Sequence, residues 1–270
     1  MKYVEAFRAW VLIGLMFMTA VDFGWYLLLV GAGFTAGIIN SIAGGGSFLT
    51  LPALMLFGLD PKVANGTNRL AVLFSSASAV ATFKKHGHLD KRMVMRVGVP
   101  TLLGVPVGSL LAVHLSADAF RGVFGILFLV MAGIILLDPK RLTGEKMETD
   151  TSLWKLSPVF VIIGVYVGFM QAGMGILLLV AMSWLQSGDL IASNAVKNSV
   201  GFIVTLAATL VFIYYGLIAW VPGLVMAFGN VIGGVVGARL AIKKGNRLVF
   251  SFLVIVMVGT GVKMLFDAFL

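Results

Sequence analysis

Apolar stretches recur along the whole chain, with only short polar connections between them. Each is about 17 to 25 residues long, enough for a helix to cross a hydrocarbon layer of roughly 30 Å. Only 11% of the 270 residues are charged and the mean hydropathy is +1.04. No soluble core could bury so much apolar surface. The sequence therefore predicts an all-α integral membrane protein, with residues 1–270 forming a single membrane domain.

Composition and motifs exclude several functions. The net charge is +9, but the cations lie between apolar stretches, where they set orientation, so we expect no nucleic-acid partner. The chain has no cysteine and therefore no thiolate metal site or cysteine nucleophile. It also lacks His-Glu-x-x-His, Gly-x-Ser-x-Gly and Walker motifs. We expect neither an enzyme nor an ATP-driven pump, and neither a cofactor nor a metal site.

Residues 1–23 have two interpretations. Lys2 and Arg8 precede an apolar stretch, as in a signal peptide. No small-x-small cleavage site follows, since the chain continues as Thr19-Ala20-Val21-Asp22-Phe23. We therefore favour an uncleaved N-terminal helix, either spanning the membrane or lying on its surface.

A shift of 129 positions aligns the two halves of the chain. One register holds for about seventy residues and includes polar positions within apolar surroundings, which indicates an internal repeat. The predicted division is 24–140 for the first repeat, 141–156 for a cytoplasmic linker and 157–270 for the second repeat. The matches include Gly44/Gly173, Gly46/Gly175, Asp60/Asp189, Asn65/Asn194, Gly87/Gly216 and Gly104/Gly233.

Each half opens with an apolar arm that runs into a glycine cluster, at 44–46 or 173–175. A second arm of about ten residues follows, which as a helix rises roughly 15 Å, half a bilayer. We expect a broken or re-entrant helix pair, with short arms at Phe48–Gly58 and Ile176–Gln186. Three crossings then follow in each half, at Leu70–Phe83, Val97–His114 and Phe120–Leu137, then at Val200–Tyr215, Val221–Leu240 and Leu248–Phe266.

Basic residues set the orientation of the halves, because Lys and Arg accumulate on the cytoplasmic side. They cluster at 84–96, 140–155 and 239–247. These clusters share one side only if each broken pair enters and leaves the membrane by the same face. Three crossings per half is an odd number, so the second half must be inverted. The predicted fold is two inverted repeats, each a broken pair followed by three transmembrane helices, plus an N-terminal helix.

The glycine clusters are candidate site elements. Non-helical backbone survives at membrane depth only where it is buried in protein or lines an aqueous cavity. The N-termini of the short arms, at Ser47 and Ile176, would present free N–H groups and a positive dipole end to an anion. The alternative for glycine is close helix packing. We assign that role to the small-xxx-small pairs Gly33/Gly37, Gly104/Gly108, Gly164/Gly168 and Gly233/Gly237.

A polar stretch follows each broken pair, at 65–69 and 194–199, where it enters an apolar helix. Each stretch holds one cation, Arg69 or Lys197, and an ionisable group in a span is a functional hypothesis by default. The alternative is that both side chains snorkel to the interface. Two dipole ends and two cations favour a small anionic substrate. Outside these stretches, Asp60-Pro61 predicts a turn and helix start.

The segments Gly33–Ser47 and Ala64–Leu70 resemble the TauE/SafE family of sulfite and organosulfonate exporters. A similar helical plan covers nearly everything after residue 24. The second half departs from the motifs, because Gly173-Met174-Gly175 is a thinner glycine cluster and 196–198 lacks a Gly-Thr pair. The resemblance implies export of a small sulfur oxyanion or sulfonate across a bacterial inner (cytoplasmic) membrane, driven by an ion gradient.

The expected partners are a small anion, the lipid bilayer and a coupling proton or sodium ion, and a homo-oligomer stays open. Two alternatives also stay open: a carrier for a cation or neutral solute, and a non-transporting scaffold with continuous helices and no polar midplane cavity. The expected substrate site comprises Asn40, Gly44, Gly45, Gly46, Ser47, Asn65, Thr67, Asn68, Arg69, Gln171, Gly173, Gly175, Lys197 and Asn198.

Overall fold

The computed structural model describes residues 20–42, 44–137, 153–183 and 190–241, together with 258, 262 and 265–267. The described part is helical and contains no strand, so the all-α prediction is confirmed. Its helices are α1 (Ala20–Ile42), α2 (Ser47–Leu56), α3 (Pro61–Lys85), α4 (Lys91–His114), α5 (Ala117–Leu137), α6 (Leu153–Phe169), α7 (Met174–Ser183), α8 (Leu190–Tyr214) and α9 (Trp220–Ala241).

Several predicted segments lie outside the described residues. They are most of the N-terminal helix at 1–23, most of the linker at 141–156 and most of the last crossing at Leu248–Phe266. The described part of α6 begins at Leu153, within the predicted linker, and the predicted division at residue 157 stays a prediction.

Four described helices are long and apolar enough to cross a bilayer: Phe23–Ile42, Lys91–His114, Ile191–Tyr214 and Trp220–Ala241. Their outer faces are apolar, as at Leu103 and Phe228, whose side chains are exposed. Exposed apolar faces on helices of this length suit contact with lipid. The protein therefore crosses the membrane several times.

The first broken pair folds back on itself. α1 ends at Ile42, the chain turns at Gly44 with a φ of +85°, and α2 begins at Ser47. The ring of Phe57, just after α2, lies 5.5 Å from the ring of Tyr26 near the start of α1. α2 thus returns along α1 over 10 residues, and α7 has the same length in the second half. The first short arm has the predicted length, whereas the end of the second, predicted at Gln186, lies outside the described residues.

α3 begins at Pro61 and the described part of α8 begins at Leu190, each between two and three turns ahead of the predicted crossing. Asp60 caps α3 by accepting a hydrogen bond of 3.0 Å from the Lys62 amide, which confirms the predicted helix start at Asp60-Pro61. The two polar stretches therefore lie inside helices rather than ahead of them. In the first stretch, Asn65 and Arg69 bond to the end of α6. In the second, Asn198 and Ser199 donate to carbonyls four residues earlier in α8, a bond that a helix accommodates.

Glycines permit two close helix crossings, α1 against α9 and α4 against α6. A methyl group on Gly37 would lie 2.5 Å from the carbonyl oxygen of Asn230, and one on Gly108 would lie 1.8 Å from that of Val165. All four glycine pairs assigned to packing sit at these crossings. That assignment is confirmed.

The helix contacts are reciprocal between the halves. α1 of the first half packs on α9 of the second, α6 of the second packs on α4 of the first, and α3 packs on α8. Glycines of positive φ also recur in the 129-residue register, as Gly44 with Gly173 and Gly87 with Gly216. The same backbone turns therefore appear at equivalent points of both halves.

Helix directions follow from individual contacts. Gly66 in α3 lies against Phe212 in α8, whereas Ser76 lies near Gly201, so these equivalent helices run antiparallel. α3 and α9 run parallel, because Thr67 lies near Gly223 and Ser78 bonds to Val231. The basic ends of α3 and α9, at Lys84 and Arg239, thus lie on the same side. Antiparallel equivalent helices are what an inverted repeat requires, and the inversion of the complete halves stays a prediction.

Candidate functional site

The two glycine breaks touch each other. A methyl group on Gly175 would lie 2.4 Å from the Cα atom of Gly44, and one on Gly44 would lie 2.2 Å from the Cα atom of Gly175. No side chain fits between atoms this close, so glycine is required for the backbones to meet. The breaks of the two halves therefore meet at one place. A site at this place would include residues from both halves.

A small polar cavity lies beside this contact, and both halves contribute to it. The space open to the centre of a water-sized sphere is about 10 Å³, room for about one water molecule. A larger solute does not fit in the cavity as it stands, and we refer to this arrangement as the closed conformation. The lining residues are Asn40, Gly44, Ser47, Val72, Ser76, Gln171, Met174, Gly175, Lys197 and Asn198.

Half of the residues predicted for the site line this cavity: Asn40, Gly44, Ser47, Gln171, Gly175, Lys197 and Asn198. The others do not line it: Gly45, Gly46, Asn65, Thr67, Asn68, Arg69 and Gly173. Sequence reasoning missed Val72, Ser76 and Met174. Val72 and Ser76 follow Asn68 at steps of four residues on α3, so helical periodicity from Asn68 could have identified them.

Lys197 is buried in the cavity wall, with 2% of its surface exposed. Its Nζ atom donates to the carbonyl oxygens of Asn40 at 3.0 Å and Ser41 at 3.3 Å, and to Oδ1 of Asn194 at 2.7 Å. The two carbonyls belong to the last turn of α1, where a helix carries partial negative charge. Lys197 therefore caps α1, and the snorkelling alternative is wrong for it.

Arg69 caps α6 in the corresponding way. One terminal nitrogen donates to the carbonyl of Val167 at 3.1 Å and to Oε1 of Gln171 at 3.0 Å, and the other donates to the carbonyl of Gly168 at 2.7 Å. The guanidinium carbon also lies 4.4 Å from the ring centre of Phe212. Arg69 is fully buried, so the snorkelling alternative is wrong here too. Its link to the cavity runs through Gln171.

The predicted polar residues outside the cavity hold the breaks in place. Asn68 donates to Oγ of Ser47 at 3.0 Å and accepts from the hydroxyl of Thr50 at 2.5 Å, which ties α3 to α2. Asn65 donates to the carbonyl of Phe169 at 2.8 Å, at the end of α6. Thr67 accepts from the amide of Ala219 at 2.9 Å. These residues support the site rather than line it.

The N–H groups predicted to be free at the start of α2 are partly used. The amide of Phe48 donates to the carbonyl of Gly45 at 3.1 Å, and that of Leu49 donates to Gly46 at 3.0 Å. These tight turn bonds satisfy amides that a helix start would otherwise leave open. At the start of α7 the amide of Met174 donates to the carbonyl of Gln171 at 3.4 Å, and that of Leu177 donates to Gly173 at 3.1 Å. An anion cradle at Ser47 cannot rest on those two amides of α2.

The cavity nevertheless offers donors and positive charge. Asn40 accepts from the amide of Gly46 at 2.8 Å, and its buried Nδ2 atom has no hydrogen-bond partner among the described residues. Gln171 donates from Nε2 to the hydroxyl of Thr205 at 2.7 Å. Within the described ranges the buried charged residues are Arg69 and Lys197, with no buried carboxylate. Buried cations without a carboxylate leave an uncompensated positive potential.

Two observations bear on the alternative functions, a cation carrier and a non-transporting scaffold. The described residues contain no group of three His, Asp or Glu side chains that could hold a metal ion. The helices break at Gly44 and Gly173 beside a polar cavity, whereas a packing scaffold predicts continuous helices. The geometry suits a solute site at the breaks.

Comparisons with known proteins identify the family. The family model described as sulfite exporter TauE/SafE matches residues 29–264. A "probable membrane transporter protein ORF9" of Sinorhizobium sp is 29% identical over 91% of this chain and 95% of its own length. "Probable membrane transporter protein YfcA" of Escherichia coli K12 is 31% identical over 86% of this chain and 87% of its own length. A "probable membrane transporter protein" of Haemophilus influenzae is 30% identical, covering 89% of this chain and 94% of its own.

No solved structure matches the chain significantly. The family match nevertheless covers the described helices from Leu29 to Ala241, including both breaks and the cavity. It agrees with the membrane-spanning helices and with the absence of enzyme motifs from the sequence. The chain belongs to the TauE/SafE family and is a multi-pass membrane transporter, not an enzyme.

Proposed function

We propose that this protein is a secondary transporter that exports a small anion, such as sulfite or an organosulfonate of the sulfoacetate or taurine type. The observation that carries the proposal is the position of Lys197, a buried cation in the wall of a cavity shared by both glycine breaks. The anion binds between the breaks when they separate. Alternating access then moves one structural unit against the other.

The chemistry of the lining supports an anion rather than a cation. A sulfite or sulfonate group presents three oxygen acceptors, which need N–H and O–H donors. The lining supplies the ammonium of Lys197, the unpaired Nδ2 of Asn40 and the hydroxyl of Ser76. A cation would need carboxylate or carbonyl oxygens. The cavity lining contains no carboxylate, and the side-chain carbonyls of Asn40 and Gln171 already accept from the Gly46 amide and Arg69. Neutral solutes would leave the Lys197 charge uncompensated.

Family membership supports the substrate class and the setting. The family description names sulfite export, whereas the relatives are described only as probable membrane transporters. We place the protein in the bacterial cytoplasmic membrane, with export driven by a proton or sodium gradient. We assign an ion gradient as the energy source because the sequence carries no nucleotide-binding motif.

The test is flux in proteoliposomes, with competition by sulfite, sulfoacetate and taurine against metal chlorides. Lys197→Met keeps the length of the side chain but removes its charge. Loss of a charge-assisted hydrogen bond of about 1.5–3 kcal/mol predicts a fall in anion flux of about ten- to a hundredfold. Wild-type flux in Lys197→Met, or competition by cations alone, would contradict anion transport.

Lys62→Met is the matched control. Lys62 also donates from Nζ to backbone carbonyls at a helix end, those of Val113 and Leu115 at the end of α4. It lies ten residues before Val72 on α3, about 15 Å from the cavity. The control thus removes the same kind of cap without removing the cavity charge. Anion flux should stay close to the wild-type rate.

A further inference from the structure

In the closed conformation the ammonium group of Lys197, which an anion would need, is already hydrogen-bonded to the protein. An ammonium group has three hydrogens, and Nζ of Lys197 has three acceptors: the carbonyls of Asn40 and Ser41 and Oδ1 of Asn194. No further acceptor can bind without displacing one of them. An incoming anion therefore competes with part of the protein for Lys197.

We propose that Lys197 is a latch on the first glycine break, and that a bound anion releases the end of α1 by taking the ammonium from the carbonyls of Asn40 and Ser41. This inference rests on the proposed anion transport and adds to it the step that couples binding to opening. The carbonyls occupy the ammonium in the closed state, and the substrate takes their place.

The bonds to α1 are the ones that yield. Asn194 lies one turn before Lys197 on α8, so its 2.7 Å bond moves with the lysine. The bonds to Asn40 and Ser41 are longer, 3.0 and 3.3 Å, and cross to another helix. An anion beside Lys197 can therefore replace the bonds to α1 while Asn194 continues to orient the ammonium.

Release affects the contact that closes the cavity. The last carbonyls of a helix have no intrahelical partners, and lipid offers none at membrane depth. Without Lys197, the end of α1 must rearrange to find new donors. Gly44 lies two residues after the end of α1 at Ile42 and contacts Gly175 beside the cavity. A methyl group on Gly175 would lie 3.1 Å from Cδ of Lys197, so the latch and the closing contact are adjacent.

The second break, at 173–175, has no latch of this kind. Arg69 caps α6 through Val167 and Gly168 but does not line the cavity. Gln171 stands between its guanidinium and the cavity and accepts from it at 3.0 Å. An anion cannot reach Arg69 without displacing that amide. The first break should therefore open on anion binding, while the second stays capped.

Hydrogen exchange measured by mass spectrometry tests this asymmetry in the full-length protein in nanodiscs. Sulfoacetate is the probe, and a thermal-shift titration establishes that the site is occupied. We expect exchange in peptides covering residues 38–50 to rise about tenfold with the anion, and exchange in peptides covering 167–178 to stay within twofold. The second break serves as an internal control because it belongs to the same molecule.

Lys197→Met tests the latch without a ligand. Its first break should exchange about tenfold faster than the wild-type break in the absence of anion, and sulfoacetate should cause no further rise. Lys62→Met should raise exchange only at the end of α4. If Lys197→Met does not fold, Lys197→Arg replaces it, and its first break should respond less to sulfoacetate because a guanidinium offers more donors than the three acceptors use.

The outcomes separate the two proposals. Sulfoacetate that binds without raising exchange at the first break, or that raises it equally at both breaks, overturns the latch and leaves anion transport standing. A protein that binds no anion overturns both. Wild-type exchange in Lys197→Met shows that the cap does not hold α1 and overturns the latch alone.

Discussion

The contact between Gly44 and Gly175 gives the sharpest prediction about the closed conformation. Alanine at position 175 would place its Cβ atom 2.4 Å from Cα of Gly44, whereas ordinary contact begins at 3.4 Å. The two breaks would have to move apart by about 1 Å, and overpacking of this kind costs about 1–3 kcal/mol. The better helix propensity of alanine returns at most about 1 kcal/mol.

Gly31→Ala is the matched control, because Gly31 lies inside α1 with no atom within 4 Å of an added Cβ. We expect Gly31→Ala to be neutral or slightly stabilising. Gly175→Ala should lower the midpoint of thermal unfolding by several degrees, since about 1 kcal/mol corresponds to about 2–4 °C for a chain of this size.

Transport distinguishes a closing contact from ordinary packing. If the contact closes the cavity in each cycle, Gly175→Ala should lower the maximal flux in proteoliposomes, because it raises the free energy of the closed conformation by about 1–2 kcal/mol, a five- to thirtyfold change in population. Equal stability and equal flux in Gly175→Ala and Gly31→Ala would refute the reasoning.

Two further predictions use the same structure. Gly44→Ala should destabilise the protein more than Gly87→Ala: both glycines have positive φ, at a cost of about 1–2 kcal/mol for alanine, but only Gly44 also meets backbone within 4 Å. Thermal unfolding of both variants checks this, and equal midpoints would contradict it. Arg69→Met should lower stability by about 3 kcal/mol or more, because it leaves buried carbonyls at the end of α6 without donors, and Arg69→Lys should recover part of the loss. The yield of monodisperse protein and its unfolding midpoint measure both, and a stable Arg69→Met would exclude the cap.

The breaks were predictable because each is a glycine cluster inside a stretch of sequence that is otherwise apolar enough to form a transmembrane helix. A continuous helix gains nothing from three adjacent glycines, and non-helical backbone cannot face hydrocarbon. The short arms followed from the same reasoning, since the chain between Ser47 and the turn at Gly58 is too short to cross a bilayer. Local composition was sufficient for these features.

The helical state of the polar stretches at 65–69 and 194–199 was not predictable in the same way. Asn65 and Asn194 suggest non-helical structure because asparagine side chains compete with helical backbone. Here Asn65 bonds to Phe169 and Asn194 to Lys197, so the competition does not arise. Asn65 and Phe169 are separated by more than a hundred residues. Sequence gives the residue type but not such a distant partner.

The partners of the two cations were hidden for the same reason, and the two cations do not occupy equivalent positions in the two halves. In the repeat register Arg69 is equivalent to Asn198 and Lys197 to Asn68, so the cation moves by one position between the halves. One position on a helix is a rotation of roughly 100°. That rotation is enough to direct the two cations toward different neighbours.

The two halves also contribute unequally to the polar lining of the cavity. Lys197 and Asn198 both line the cavity, whereas neither Asn68 nor Arg69 does. α3 contributes Val72 and Ser76 instead. A symmetric site, with one cation from each half, was the expectation from the repeat. The structure instead caps both broken helices with a cation but exposes only one of these caps to the cavity. A duplicated fold can thus keep the same support for both breaks while making only one of them responsive to what the cavity holds.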